Sequence, residues 1–186
     1  MQSQKPKPSR QVQLSKFLAK ILRHHPELIG LNLDAEGWAK IDELLAKAAK
    51  PDLTRQMLEK IVAEDEKGRY EIDETQTKIR ACQGHSIEVD AGQEQKPAPD
   101  VLYHGSAQKY AASIAKQGLL PMSRLFVHLS TDIPTAKKVG SRHGKPVIYR
   151  INTKQMEQDG YIFYQARNGV WLTSSVPVQY LEEIDD

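Results

Sequence analysis

Arginine and histidine stand close together at two points in the first half of this chain of 186 residues. Arg23 precedes His24, and Arg80 comes shortly before His85. A guanidinium group binds phosphate through paired N–H donors and keeps its charge at any working pH. An imidazole can hold or pass a proton near neutrality. These residue types therefore point to a site that binds a phosphate group and can act on it.

The second half of the chain repeats a His-x-Ser pattern. His104 is followed by Gly105 and Ser106, and His128 stands two residues before Ser130. A single histidine at a strand end is usually structural, and a buried histidine whose ring nitrogens are hydrogen-bonded is an ordinary core residue. Two such motifs at the ends of consecutive predicted strands, each with a hydroxyl, favour binding of ribose hydroxyls.

Two further arginines lie on either side of the second His-x-Ser motif. Arg124 comes just before it, and Arg142 follows a predicted helix after it. Either is compatible with an ordinary solvated charge. Together with Arg23 and Arg80, however, they would form a positive cleft for a dinucleotide pyrophosphate or an RNA phosphate.

The position of Arg23 and His24 has two interpretations. Both lie at the end of a predicted helix, where cations stabilise the helix dipole and its free carbonyl groups. The apolar residues between Leu14 and Leu22 already supply the helix face that packs in the core. This leaves Arg23 and His24 at the helix edge, where they can also face a cleft.

Arg80 likewise has two interpretations. Strand alternation places its side chain opposite Ile79 and Ala81, and an exposed strand arginine is usually solvated. The loop that follows, Gln83–Ser86, combines polar donors with a permissive glycine. Loops of this kind bind anions through backbone and side-chain donors, which favours the functional interpretation.

Charge is distributed unevenly along the chain. Residues 1–92 carry 15 Lys/Arg and 15 Asp/Glu, whereas residues 101–181 carry 10 basic against 3 acidic residues. An acidic tail from Glu182 offsets much of this surplus. A basic body with an acidic tail favours a polyanionic ligand such as a nucleotide or RNA.

Composition narrows the class of protein. With 39% hydrophobic and 27% charged residues, no apolar run of the roughly 20 residues that cross a membrane, and no signal peptide, we expect a soluble protein without membrane association. The only cysteine, Cys82, excludes an intramolecular disulfide framework, disfavours a thiolate zinc site and fits a reducing cytoplasm. We therefore expect a cytoplasmic protein without a metal.

The chain is predicted to form two lobes, residues 1–92 and 101–186, joined by a polar, proline-containing linker at 93–100. The first lobe is predicted to contain three helices, the first of which begins near Ser15, followed by a hairpin between Tyr70 and Ala81. That order is winged-helix-like. The second lobe alternates short β-rich runs with two helical segments, so the fold class predicted for the whole chain is α+β.

At these motifs the chain resembles the RNA 2'-phosphotransferase family, which removes the 2'-phosphate that certain RNA ligation reactions, including those of tRNA splicing, leave behind. The similarity spans about residues 14–181. The motifs that carry it are Leu14-Ser-Lys-Phe-Leu, Leu22-Arg-His-His-Pro-Glu, Glu36-Gly-Trp, Ile79-Arg-Ala-Cys-Gln-Gly-His-Ser, Leu102-Tyr-His-Gly-Ser, Val127-His-Leu-Ser, Arg142-His-Gly and Asn168-Gly-Val-Trp-Leu-Thr.

The resemblance implies a winged-helix-like lobe followed by an ADP-ribosyltransferase-like lobe that binds NAD. It also implies a two-step reaction. The RNA 2'-phosphate attacks C1'' of the NAD ribose and nicotinamide leaves, which forms ADP-ribosylated RNA. The ribose 2''-hydroxyl then attacks phosphorus and releases 2'-hydroxyl RNA and ADP-ribose 1'',2''-cyclic phosphate.

The resemblance also assigns roles to residues. NAD is consumed as a co-substrate, no metal takes part, RNA bearing a 2'-phosphate is the partner, and no obligate protein partner is implied. Arg142 competes with Arg124 for the fourth catalytic place. The implied catalytic residues are Arg23, His24, Arg80 and Arg124, and the implied NAD-binding residues are His104, Gly105, Ser106, His128, Ser130 and Arg142.

Two alternatives remain at this stage. One is an ADP-ribosyltransferase that modifies terminal phosphates of nucleic acids, or a protein, and stops after the first step. The other is a winged-helix nucleic-acid-binding module whose second lobe is inert and which needs no NAD.

Overall fold

Helices and sheets occur in both halves of the computed structural model, which describes residues 7–90 and 92–185. The chain is therefore α+β, as predicted. It divides into two units, residues 1–91 and residues 92–186. Each unit has its own hydrophobic core.

The first unit begins with helix α1, Arg10–Arg23. The Ser9 hydroxyl accepts a hydrogen bond from the Val12 N–H at 3.3 Å and caps the first turn. The predicted start near Ser15 is therefore wrong. The first turn carries no buried apolar residue, so the apolar spacing that begins at Leu14 could not report it.

A short strand, β1 (Ala39–Lys40), and two helices, α2 (Ile41–Ala48) and α3 (Arg55–Ala63), follow. Both helices were predicted within one residue at each end. Thr54 caps α3, because its hydroxyl accepts a hydrogen bond from the Met57 N–H at 3.2 Å.

Strands β2 (Tyr70–Ile72) and β3 (Lys78–Ala81) form the predicted antiparallel hairpin. β1 pairs antiparallel with the other edge of β3, which gives the sheet order β1-β3-β2. This third strand was not predicted, since two residues are too few to show an alternating pattern. β3 is therefore the central strand, and α1 packs against it.

The second unit contains seven strands and three α-helices among its described residues. In chain order they are β4 (Glu94–Gln95), β5 (Leu102–Ala107), α4 (Ala111–Gln117), β6 (Val127–Leu129), α5 (Ile133–Gly140), β7 (Pro146–Ile151), α6 (Thr153–Gln158), β8 (Phe163–Gln165), β9 (Trp171–Thr173) and β10 (Leu181–Ile184).

These strands form two antiparallel sheets, ordered β10-β7-β5 and β4-β8-β9-β6. A β-bridge joins the sheets, because Tyr103 and Ser130 exchange backbone N–H to carbonyl hydrogen bonds of 2.8 Å each. The strand that carries His104 therefore lies beside the strand that carries His128.

The second unit departs from the predictions in three places. Part of the segment predicted as a linker is ordered, because β4 pairs with β8. Helix α6 and strand β10 were not predicted either. β4 has only two residues, both polar, and β10 has two glutamates between Leu181 and Ile184. α6 buries only Thr153 and Met156, so none of the three elements shows a hydrophobic period.

Among the described residues, no helix combines the length and apolar character that crossing a membrane requires.

Candidate active site

Arg23 is the last residue of α1 and is 9% exposed. Its guanidinium packs on the backbone of Gly84, where an added Cβ would lie 3.4 Å from Cζ and from Nε. Gly84 has φ +86°, which side chains disfavour. The Ser86 N–H donates to the Arg23 carbonyl at 3.0 Å. The loop after β3 is thus bound to the end of α1.

His24 follows Arg23 and joins the same loop through its side chain. Its Nδ1 lies 2.9 Å from the Ser86 hydroxyl oxygen, within hydrogen-bond distance. The neighbouring His25 is instead exposed and pairs with Glu27 at 2.9 Å. Of the two adjacent histidines, His24 is therefore the one that lies beside the loop after β3.

Arg80 is 2% exposed, so the interpretation of a solvated strand arginine is wrong. Its Nε donates to Glu71 Oε2 at 3.1 Å, and its Nη1 donates to the Glu36 carbonyl at 3.3 Å. Its Cζ lies 4.3 Å from the ring centre of Trp38, a cation–π contact. The alternating pattern did not predict the burial of Arg80, because β3 is the central strand of its sheet and is covered on both faces.

His85 lies among these cations and is 4% exposed. Burial is the main cause that lowers its pKa to about 4, and the positive charges of Arg23, His24 and Arg80 lower it further. All three predicted residues of the first unit therefore lie close enough to act on one imidazole. Sequence reasoning did not select His85 as a site residue, although it follows the permissive glycine of the loop.

The first unit therefore gathers two buried guanidinium groups and a half-buried histidine around a neutral imidazole. Glu71 is the carboxylate bonded to Arg80, and no carboxylate of the described residues is shown bonded to His85. Buried charges are costly unless they are paired or hydrogen-bonded. The arrangement suits an anion with several acceptor oxygens, such as a phosphate group.

In the second unit, His104 on β5 is bonded to the backbone of β6. Its Nδ1 lies 2.9 Å from the His128 carbonyl oxygen. A carbonyl only accepts, so Nδ1 carries a proton. Burial lowers the pKa of His104, while the bond to His128 opposes that shift. A neutral ring with Nδ1–H leaves Nε2 as an acceptor, which suits a hydroxyl donor such as that of a ribose.

His128 is held by Arg124, whose Nη1 donates to His128 Nδ1 at 3.0 Å. Since a guanidinium only donates, Nδ1 of His128 is unprotonated and the neutral ring carries its proton on Nε2. Loss of hydration and the nearby charge of Arg142 lower the pKa of Arg124. Arg124, Arg142 and His128 therefore lie together.

Gly105 serves packing in this structure. A Cβ there would overlap the carbonyl oxygen of Ala136 in α5. Gly140 makes the reciprocal approach, since a Cβ there would lie 2.6 Å from the Ser106 carbonyl oxygen. The two glycines let α5 lie directly on β5. Within the described residues, contact with this helix explains the glycine at position 105.

The predicted site residues thus fall into two groups. In the first unit, three of them gather around the loop after β3, and in the second unit the β5–β6 bridge and the Arg124–His128 bond join most of the others. No group of three or more His, Cys, Asp or Glu side chains in residues 7–90 and 92–185 is arranged to hold a metal ion. The first group is Arg23, His24 and Arg80, and the second is His104, Gly105, Ser106, Arg124, His128, Ser130 and Arg142.

Comparison with known proteins identifies the family of this chain. The profile of the RNA 2'-phosphotransferase, Tpt1 / KptA family matches residues 9–175. A protein of Nostoc punctiforme with the name "Probable RNA 2'-phosphotransferase" is 52% identical over 178 residues, which is 95% of this chain and 98% of the relative. Proteins of the same name from Acaryochloris marina and Pectobacterium carotovorum are 49% and 51% identical, over 92% and 91% of this chain and 96% and 92% of their own lengths. This chain belongs to the RNA 2'-phosphotransferase, Tpt1 / KptA family.

Proposed function

We propose that this chain removes an internal 2'-phosphate from RNA by transferring it to NAD, through an ADP-ribosylated 2'-phospho-RNA. The products are nicotinamide, 2'-hydroxyl RNA and ADP-ribose 1'',2''-cyclic phosphate. In this proposal the first unit is a winged-helix-like lobe that holds the RNA phosphate, and the second is an ADP-ribosyltransferase-like lobe that binds NAD. The enzyme works in the cytoplasm on the phosphate left by RNA ligation, as in tRNA splicing.

The observation that carries the proposal is the grouping of Arg23, His24 and Arg80 around the loop after β3. Both guanidinium groups are largely buried, Arg23 packs on Gly84, and Arg80 is held by Glu71 and by the face of Trp38 before any substrate arrives. Donors that are fixed in advance stabilise a developing charge without having to reorganise. A phosphate is the substrate group that such a pair recognises.

The donor set of the second unit fits NAD. Between Val101 and Thr131 the chain has no Asp or Glu, so the histidines and arginines there face no carboxylate of their own segment. Arg124 and Arg142 suit the pyrophosphate, and the acceptor nitrogen of His104 suits a ribose hydroxyl. NAD, when bound, supplies an electrophilic ribose carbon with nicotinamide as the leaving group.

The residues of the first unit account for the step at phosphorus. Arg23 and Arg80 hold the phosphate oxygens and offset the charge that grows in the five-coordinate transition state. The ribose 2''-oxygen bonds to phosphorus and releases its proton to solvent, while the bond between the RNA 2'-oxygen and phosphorus breaks. His24, oriented by Ser86, supplies the proton that the departing 2'-oxygen takes up.

The test is an incubation of purified protein with an oligoribonucleotide that bears one internal 2'-phosphate, with and without NAD and without added metal. We expect NAD-dependent loss of the phosphate and release of the cyclic phosphate of ADP-ribose. Accumulation of ADP-ribosylated product with no second step would instead identify a transferase of the first-step type. RNA binding without any NAD binding would leave only a nucleic-acid-binding module.

A further inference from the structure

The segment from Val101 to Met156 is strongly basic. It carries nine Lys and Arg residues and one acidic residue, Asp132. The Asp132 carboxylate caps α5, because it accepts a hydrogen bond from the Thr135 N–H at 2.7 Å. The nine cations are Lys109, Lys116, Arg124, Lys137, Lys138, Arg142, Lys145, Arg150 and Lys154.

Several of these cations share α5 and the turn that follows it. Lys137 and Lys138 are exposed, while Ala136 and Gly140 of the same helix are pressed onto β5. The turn residues 141–145 are all exposed and include Arg142, His143 and Lys145. The face of this helix that β5 does not cover therefore continues into a basic turn.

Contacts join this turn to two neighbouring regions. Arg142 lies close enough to Arg124 to lower its pKa, and so borders the His128 region. The Lys145 carbonyl accepts a hydrogen bond from the Gln108 N–H at 2.9 Å, which brings Lys109 alongside. We call Lys109, Lys137, Lys138, Arg142, His143 and Lys145 the basic ridge.

An aromatic ring lies at the Lys109 end of the ridge. Tyr110 is 45% exposed, and the Lys109 ammonium lies 5.0 Å from its ring centre. Surfaces that bind single-stranded nucleic acid combine cations that track the backbone with exposed rings on which bases stack. The first unit differs, since its Lys and Arg residues are balanced in number by Asp and Glu residues.

We propose that the basic ridge binds the RNA strand that flanks the 2'-phosphorylated nucleotide, through its backbone phosphates. The proposal rests on the proposed function for the identity of the polyanion. It adds a binding surface whose residues, apart from Arg142 at its border, are not among those that handle the 2'-phosphate and NAD. Binding of this kind depends on salt, because each neutralised phosphate of a single strand releases counterions and contributes about 0.7 to the slope of log K against log salt.

The test compares two triple variants that remove the same charge. The ridge variant carries Lys137→Gln, Lys138→Gln and Lys145→Gln. The matched control carries Lys16→Gln, Lys60→Gln and Lys116→Gln, three lysines that are also exposed but are not part of the ridge. Fluorescence anisotropy follows binding of a labelled 2'-phosphorylated 12-mer between about 50 and 200 mM KCl, the range over which phosphate contacts lose affinity steeply.

We expect the ridge variant to bind the 12-mer about tenfold more weakly at the lowest salt and to lose about 2 units of salt slope, for three phosphate contacts at about 0.7 each. The control should stay within about twofold, since it removes charge where no phosphate binds. Equal weakening in the two variants, or none in either, would overturn the proposal.

A second arm separates this proposal from the proposed function. A 2'-phosphorylated dinucleotide has almost no flanking strand for the ridge to bind, so its turnover and the KM for NAD should be unchanged in the ridge variant. A ridge variant that loses dinucleotide turnover would show that these lysines act at the reacting groups instead. If the wild-type chain shows no NAD-dependent turnover, the proposed function fails, while the anisotropy arm still decides whether the ridge binds RNA.

Discussion

The two groups of candidate residues differ in how firmly they are held. In the first unit, Arg80 and Arg23 are 2% and 9% exposed, and Arg80 is fixed by a carboxylate, a carbonyl and an aromatic face. In the second unit, Arg124 and Arg142 reach the surface, although loss of hydration still lowers the pKa of Arg124, which donates to the neutral imidazole of His128.

This difference matches the demands of the two halves of the proposed reaction. Chemistry at phosphorus gains from donors that cannot rearrange, because the charge to be stabilised appears only in the transition state. Binding of a dinucleotide and release of its fragments gain from side chains that can move. We infer that the first unit supplies buried, fixed charge and that the second unit supplies a more exposed binding surface.

The largest effect is expected from Arg80→Ala. Removing a fixed donor from a transition state costs about 10²–10³-fold in rate, and here a buried positive charge is lost as well, so we expect a loss of about 10³-fold in turnover. Arg80→Lys should recover little, because an ammonium cannot make two parallel bonds. Steady-state kinetics with a 2'-phosphorylated oligoribonucleotide measure both. The matched control is Arg55→Ala, a partly exposed arginine on α3 that pairs with Glu59, and comparable losses of turnover in the two variants would contradict the assigned role of Arg80.

Gly105→Ala should act on stability. The new methyl group would overlap the backbone of α5. Forcing atoms into a packed site costs about 1–3 kcal/mol, so we expect the free energy of unfolding to fall by an amount near the upper end of that range. Thermal unfolding measures it. Gly160→Ala is the control, since nothing lies within 4 Å of its added Cβ and only backbone strain of about 1 kcal/mol applies. A raised KM for NAD with unchanged stability would show instead that Gly105 serves cofactor approach.

Arg124→Gln should reduce kcat/KM for NAD by about 10²-fold, the scale of one lost charge-stabilising donor. Arg142→Gln should reduce kcat/KM for NAD by less than about tenfold. Among the described residues no hydrogen bond orients the Arg142 guanidinium toward a site histidine, and a solvated charge contributes little to binding. Parallel titrations of NAD measure both variants. A larger loss for Arg142→Gln would reverse the assignment of the fourth catalytic place.

The pH dependence of stability tests His85. Its pKa is about 4 in the folded chain against about 6.5 unfolded, so the unfolded state binds more protons between these values. The stability that comes from keeping His85 neutral is therefore fully present above about pH 6.5, and it is lost as the pH falls toward 4. Between pH 7 and pH 5 we expect a loss of about 2 kcal/mol.

Hydrogen exchange in the first unit at the two pH values measures this loss, which His85→Gln should largely remove. His143→Gln, at an exposed histidine, should leave the loss unchanged. An equal acid loss in the wild type and in His85→Gln would show that His85 is not the buried neutral group described here.

Hydrophobic spacing predicted the long elements well. α2, α3 and the β2–β3 hairpin appear where their apolar periods and turn residues place them. Elements such as β1 and β4 were missed because two residues cannot show a period. The start of α1 was misplaced because a polar first turn capped by Ser9 carries no apolar signal.

Much of the candidate site could also be predicted, since neighbouring Arg and His residues in a sequence indicate phosphate binding and proton transfer. Their burial could not. Arg80 sits on a strand that alternation treats as half-exposed, and only the pairing of β1 with β3 and the placement of Trp38 show that it is enclosed. The role of His85 likewise depends on three cations that come from different elements, which no local pattern reveals.

The most direct test of the division between the two units is a single-turnover experiment with Arg80→Ala and His104→Ala. A 2'-phosphorylated oligoribonucleotide is mixed with NAD, the reaction is quenched over time, and the RNA species are separated. We predict that Arg80→Ala accumulates ADP-ribosylated RNA, because its defect lies in the step at phosphorus. His104→Ala should leave the starting 2'-phosphorylated RNA, because its defect lies in NAD binding. If both variants stop at the same RNA species, the two units do not divide the reaction in this way.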